Sequence, residues 1–220
     1  MATKKAQRIG IWIIAIALTV GTLTGFVAII LQPQNEANDQ ARITALTAEY
    51  QTNQDEYQKK VAAQATTLSA TYFSQFEQYA SRVKSFDKAS VTDLKTEDLK
   101  VGDGAEITAD TTFSAYYIGW GPDGVIFDQS IIEKSLKTPI DVAPGSVIKG
   151  WTEGAVGMKI GGVRELTIPA DKAYGENGAG DTIAPNTPLK FVIMIIPTPE
   201  LIAQPEVPAE LLKYYSKGTL

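Results

Sequence analysis

Apolar positions change their spacing three times along this chain, and each change marks a different kind of element. Residues 9–31, IGIWIIAIALTVGTLTGFVAIIL, carry no charge. As a helix these residues span ~34 Å at ~1.5 Å per residue, which matches the hydrocarbon core of a bilayer. No small-residue cleavage site stands before QPQNEANDQ, so the run reads as an uncleaved transmembrane anchor. Lys4, Lys5 and Arg8 precede it while Glu36 and Asp39 follow. That asymmetry places residues 1–8 in the cytoplasm and everything after residue 31 outside. Gly21 and Gly25 form a GxxxG spacing, which can bring two membrane helices together but is common in such helices anyway.

Between residues 40 and 86 there is no Gly or Pro. Apolar side chains recur at Ile43, Leu46, Tyr50, Tyr57, Val61, Leu68, Tyr72, Phe76, Tyr79, Val83 and Phe86, mostly at intervals of three, four and seven. The spacing predicts a long amphipathic helix within a stalk or spacer of residues 32–89, with Asn53 on the stripe where a coiled coil can use it to fix register. Two readings stay open, because Thr, Gln and Ala dilute the stripe. One is a dimerising stalk that makes a homodimer; the other is a helical spacer that folds back on its neighbour.

Beyond Ser90 the periodicity shortens and Gly and Pro punctuate brief apolar runs. After a turn-rich lead-in, TEDLKVGDGAEI, strands are expected near 105–109, 112–120, 125–128, 140–142, 163–168 and 189–196, with one short helix at about 151–156. An antiparallel twisted sheet wrapped on one short helix makes residues 90–197 an α+β domain. The tail, residues 198–220, is Pro-rich and expected to be extended, with AELLKYY adding a helical turn.

Composition narrows the chemistry. The 220 residues include no Cys and no His. A disulfide framework, a nucleophilic thiol and imidazole acid–base catalysis are therefore excluded, and with them most hydrolase mechanisms. The net charge of −5, with no basic cluster beyond the N-terminus, speaks against a nucleic-acid partner. A single N-terminal anchor without cysteine suits a bacterial cell envelope better than a disulfide-rich secretory route.

Several short motifs lie in order on the domain: YYIGWGPDGVIFDQS, VIKGWTEGAVGM, GGVRELTIPADKAYG and the closing APNTPLKF. Each alone is weak. Together, over residues 98–196, they resemble the FKBP-type peptidyl-prolyl cis-trans isomerases. The resemblance implies an FKBP-like fold, an isomerase without cofactor or metal, and proline-containing polypeptides as partners. It implies that Trp151 floors the proline pocket, that the Ile148 N–H donates to the substrate carbonyl, and that Val147 lines the rim. Tyr117, Phe127 and Phe191 would be its walls. Tyr174 would offer its hydroxyl to the bound peptide, Ile183 would cap the pocket, and Asp128 would be the polar group at its edge. One aromatic in a strand is ordinarily core, so it is the joint match that carries these roles.

The chain departs from the family pattern in places. Ile140 stands where an aromatic wall residue is usual, and PIDVAPGSV is about two residues short. Ala184 precedes Pro185 in place of a Pro-Pro pair, and Ala179 stands where many members have a bulkier side chain. These differences imply a shallower pocket and modest activity. They keep open a second reading, a catalytically weak module or chaperone that captures proline segments on a membrane stalk.

Overall fold

The computed structural model describes residues 36–217, and among these a helix of 41 residues, α1 (Glu36–Phe76), precedes the sheet. The run at 9–31 lies outside the described residues; among those described, no helix is long and apolar enough to cross a membrane. After α1 the chain passes through a 3-10 turn, Glu77–Arg82, and then becomes extended at Val83. The strands follow as β1 (Lys95–Lys100), β2 (Phe113–Trp120), β3 (Ile126–Gln129), β4 (Ile131–Ile132), β5 (Ser135–Leu136) and β6 (Ile140–Val142). Helix α2 (Lys149–Ala155) separates these from β7 (Val163–Ile168) and β8 (Leu189–Ile196), and α3 (Ala209–Lys217) closes the chain. The order in the sheet is β1-β7-β8-β2-β3, with β6 also pairing β2, and every pairing is antiparallel.

Two compact units emerge among the described residues, one of Gln54–Gln204 and one that joins the start of α1, up to Asn53, to the residues between Pro205 and Lys217. In the larger unit the sheet is buried on both faces. Side chains alternate across a strand, so Ala115, Phe191, Ile193 and Ile195 face α2 in one core, joined by Trp151, Leu166 and Ile168. Tyr116, Ile118, Trp120, Val192, Met194 and Ile196 face the other way, onto Leu68, Tyr72, Phe73, Phe76, Tyr79, Val83 and Phe86. Double-sided burial explains why β2 and β8 read as nearly continuous apolar runs.

The second layer is tied down by polar contacts as well. Arg82 donates to the buried Glu165 carboxylate at 2.6 Å, and Lys190 reaches the same carboxylate at 2.8 Å. The Trp120 indole N–H donates to the Lys84 carbonyl at 3.0 Å, and Phe86 N–H to the Pro122 carbonyl at 2.9 Å. These bonds explain why the helix expected to run through residue 86 stops at Phe76 with no Gly or Pro to end it. The apolar spacing continues, but the chain is drawn down onto the sheet. Residues 54–89 thus pack within the same compact unit as the isomerase-like domain.

Other expectations shift too. The strand expected at 105–109 is a single bridge, Glu106 with Lys159. The lead-in around TEDLK is instead β1, an exposed edge strand with no alternating apolar side chains to announce it. The short helix begins two residues earlier than expected and ends at Ala155. In the tail, the Glu200 carbonyl accepts from the Gln64 side chain at 2.7 Å within the larger unit. In the smaller unit α3 is seated by an Arg42–Glu210 ion pair and a hydrogen bond from the Tyr214 hydroxyl to Gln40, with Leu211 buried.

Candidate functional site

Helix α2 is short and runs antiparallel to β7, so close that its glycines are a necessity. A Cβ on Gly150 would lie 2.3 Å from Ile168 Cγ2, and one on Gly154 would lie 2.7 Å from Leu166 Cδ2. Between these two contact points Trp151 is buried, 3% exposed, with its ring turned into the domain's main core. Tyr117 meets it edge-on at 5.5 Å between ring centroids, and Phe191 meets it edge-on at 5.3 Å. Phe127 stands edge-on to Phe191 at 5.5 Å. Four aromatic rings from β2, β3, α2 and β8 therefore form one connected box, with the perpendicular geometry that ring quadrupoles favour.

Aliphatic side chains surround it. Ile140, Val147 and Ile148 are half-buried against the same core, and Ile183 is buried in it. Ile148 immediately precedes α2, at φ −58° and ψ 148°, and its N–H pairs with no group among the described residues. The loop carrying Ile183 is closed by reciprocal backbone bonds with Ala179, 2.8 and 3.1 Å. Gly178 begins that closure at φ 63°, ψ −160°, a conformation open essentially to glycine alone, and a Cβ there would lie 2.2 Å from the Ile183 carbonyl oxygen.

One edge of the box is polar. The Tyr117 hydroxyl donates to the Asp128 carboxylate, whose other oxygen accepts the Gln129 N–H at 2.8 Å and faces the Lys137 ammonium at 3.3 Å. Burial, reinforced by the hydrogen bond to Asp128 and by that carboxylate's charge, pushes the Tyr117 pKa far above its ordinary value. Tyr174 is 39% exposed, and burial together with the Asp128 charge pushes its pKa up as well. Both phenols keep their protons at neutral pH and can act as donors.

A family model described as FKBP-type peptidyl-prolyl cis-trans isomerase matches residues 103–196. An FK506-binding protein from Neisseria meningitidis serogroup B is 42% identical over 103 residues, covering 47% of this chain and 94% of its own length. This chain belongs to the FKBP-type peptidyl-prolyl cis-trans isomerase family. An FK506-binding protein from Streptomyces anulatus is 42% identical over 106 residues, covering 47% of this chain and 85% of that relative. A peptidyl-prolyl cis-trans isomerase from Pseudomonas syringae pv. tomato, known from a crystal structure, is similar at 33% identity and a TM-score of 0.44, covering 60% of this chain and 96% of that one.

Of the ten residues named from the sequence, Tyr117, Phe127, Trp151 and Phe191 form the box, Asp128 is bonded to it, Ile140, Val147, Ile148 and Ile183 belong to the same core, and Tyr174 feels the Asp128 charge. Three neighbours escaped the sequence reading. Ser130 is buried and locks Tyr117 in place, accepting its N–H on Oγ at 2.9 Å while donating its own N–H to the Tyr117 carbonyl at 2.8 Å. Lys137 is brought to Asp128 by the β4–β5 hairpin, whose two-residue strands are too short to show periodicity. Arg164 lies behind α2, and a lone arginine in the strand VRELTI gives no hint of what it bonds. The ion pair of Lys137 and Asp128 is largely exposed, so its contribution to stability is small, ~0–1 kcal/mol.

Proposed function

We propose that this FKBP-family chain is a membrane-anchored isomerase that accelerates X-Pro rotation in polypeptides folding outside the cytoplasmic membrane. The aromatic box of Tyr117, Phe127, Trp151 and Phe191 beside the Asp128–Tyr174 edge is the observation that carries this reading. Rotation about the imide bond must break amide resonance against a barrier of ~18–20 kcal/mol. It needs no nucleophile, which suits a chain without Cys or His. The planar amide is more polar than the twisted one, and water stabilises it. A dry aromatic floor removes that advantage, so the twisted state is favoured relative to the planar one. The prolyl ring rests on Trp151, and the open Ile148 N–H holds the neighbouring carbonyl. Tyr174 donates to the bound peptide, while Val147, Ile140 and Ile183 close the apolar wall. Asp128, through its hydrogen bond from Tyr117, sets the charge at the edge where the bond turns.

The uncharged run at 9–31 with its basic N-terminal flank supports an anchor with a cytoplasmic N-terminus. Half-buried Ile43, Tyr57 and Val61 on α1 make an apolar stripe that suits a homodimer through the stalk.

The test uses the full chain in mild detergent in a proline-limited refolding assay, comparing wild type with Asp128→Ala and Tyr174→Phe. The expected result is acceleration by the wild type, reduced about tenfold in the variants, equivalent to ~1.4 kcal/mol in the barrier. A folded wild type that gives no acceleration while still binding proline peptides would leave a capture module in place of an enzyme. Half-buried Ile140, at the wall where the family usually has an aromatic ring, is what favours that second reading.

A further inference from the structure

Arg164 sits on β7 with its side chain on the same face as Leu166 and Ile168, the two residues on which Gly154 and Gly150 of α2 rest. It is one helical turn further along, at the end of α2. There its Nη1 donates to the Gly154 carbonyl at 2.8 Å and to the Val156 carbonyl at 3.0 Å. The other side of the guanidinium forks onto Asp98 of β1, Nε to Oδ1 at 2.6 Å and Nη2 to Oδ2 at 3.0 Å. Arg164 is 8% exposed, so its guanidinium is buried, while the Asp98 side chain that braces it is 45% exposed.

A seven-residue helix is far below the length that holds itself together. It lacks a side-chain cap at its N-terminus, and at its C-terminus unpaired carbonyls carry the negative end of the helix dipole. A fixed cation with two donors aimed at those carbonyls satisfies both needs. The planar fork also lets one side chain bind the helix end and the β1 carboxylate at once, which a lysine cannot do. Trp151 lies one turn before Gly154, so the clamp fixes the register in which the floor of the pocket stands on the sheet. The Ile107 backbone holds the chain just past the helix, at Gly157 N–H 2.9 Å and Met158 carbonyl 2.7 Å, and not the helix itself.

We propose that Arg164, braced by Asp98, is a positioning residue for Trp151 in the isomerase reaction, an assignment that rests on the isomerase reading above. It touches no substrate. Its effect is on the tilt of α2, and small misplacements of a binding surface can cost orders of magnitude in rate.

The experiment compares full-chain wild type, Arg164→Met, Arg164→Lys, Asp98→Asn and the outer-face control Val192→Ala. Each is measured for thermal midpoint, for kcat/KM on a prolyl peptide well below that midpoint, and for its tryptophan indole N–H resonances. Arg164→Met is expected to lower kcat/KM about tenfold and Arg164→Lys and Asp98→Asn about threefold. The Trp151 indole signal should move in all three while that of Trp120 stays. Val192→Ala should lower the midpoint yet leave kcat/KM and the Trp151 signal as they are. If Arg164→Met does not fold, the Lys and Asn variants carry the same test. Clamp variants that are folded, with kcat/KM and the Trp151 resonance unchanged, would overturn the proposal. A wild type without isomerase activity would instead undo the isomerase reading, and the indole shift would still decide whether the clamp positions Trp151.

Discussion

Phe76 stands where α1 meets the outer face of the sheet, and it is fully buried, 0% exposed, with its ring 6.4 Å from that of Tyr116. Phe76→Ala removes that ring from a core made by two parts of the chain far apart in sequence. Emptying such a site costs ~3–5 kcal/mol through lost burial and the cavity left behind. Alanine's better helix propensity returns at most ~0.5 kcal/mol. A net loss of roughly 2.5–4.5 kcal/mol remains, which for a unit of this size lowers the melting temperature by roughly 5–18 °C at ~2–4 °C per kcal/mol. Thermal melts followed by tryptophan fluorescence should report this shift in the unit that holds the sheet. Because Phe76 lies on the face opposite Trp151, the isomerase rate of the folded protein at 10 °C should stay at the wild-type value. A shift below ~2 °C would show that residues 54–76 of α1 do not share the fold of the sheet and would refute the second-layer account.

Tyr116 offers a test of the same layer by pH. Its buried hydroxyl has no partner among the described residues, and burial, with a smaller contribution from Tyr72, pushes its pKa up to about 12. The folded state therefore holds the proton more tightly than the unfolded chain, and its stabilising effect, complete below pH ~10, is lost as pH rises from there through about 12. Tyr116→Phe should flatten that alkaline fall in denaturant melts and, by removing an unsatisfied hydroxyl, raise stability at neutral pH by ~1 kcal/mol; an equally steep fall in the variant would place the titration elsewhere. Gly178→Ala should strain the backbone by ~1–3 kcal/mol and push the Ile183 carbonyl away. The expected readout is a severalfold rise in KM for a prolyl peptide with a smaller change in kcat, and unaltered kinetics would mean that Ile183 does not close the pocket.

How much of this protein can be read without coordinates depends on whether a feature is local. Candidate pocket residues could be proposed from the sequence because the motifs VIKGW, IFD and AYG carry their family likeness in consecutive residues. β2 and β8 were visible as apolar runs for the plain reason that both faces of those strands are buried. Chemistry was bounded as firmly by composition, since no fold can supply imidazole or thiol to a chain that has neither. Other features had no local signal. β1, KTEDLK, is a strand only because β7 offers it an edge, and its exposed side chains follow no period. The end of α1 at Phe76 is decided by Trp120, Pro122 and Glu165, which capture Lys84, Phe86 and Arg82 from more than thirty residues away. The hydrogen bond from Tyr117 to Asp128 needs two antiparallel strands in register, and the Arg164 clamp needs a strand, a helix end and an edge carboxylate at one point. Residue types and their spacing along the chain determined which groups could meet. Hydrogen bonds and packing between segments distant in sequence, whose partners no local pattern encodes, decided which of them did.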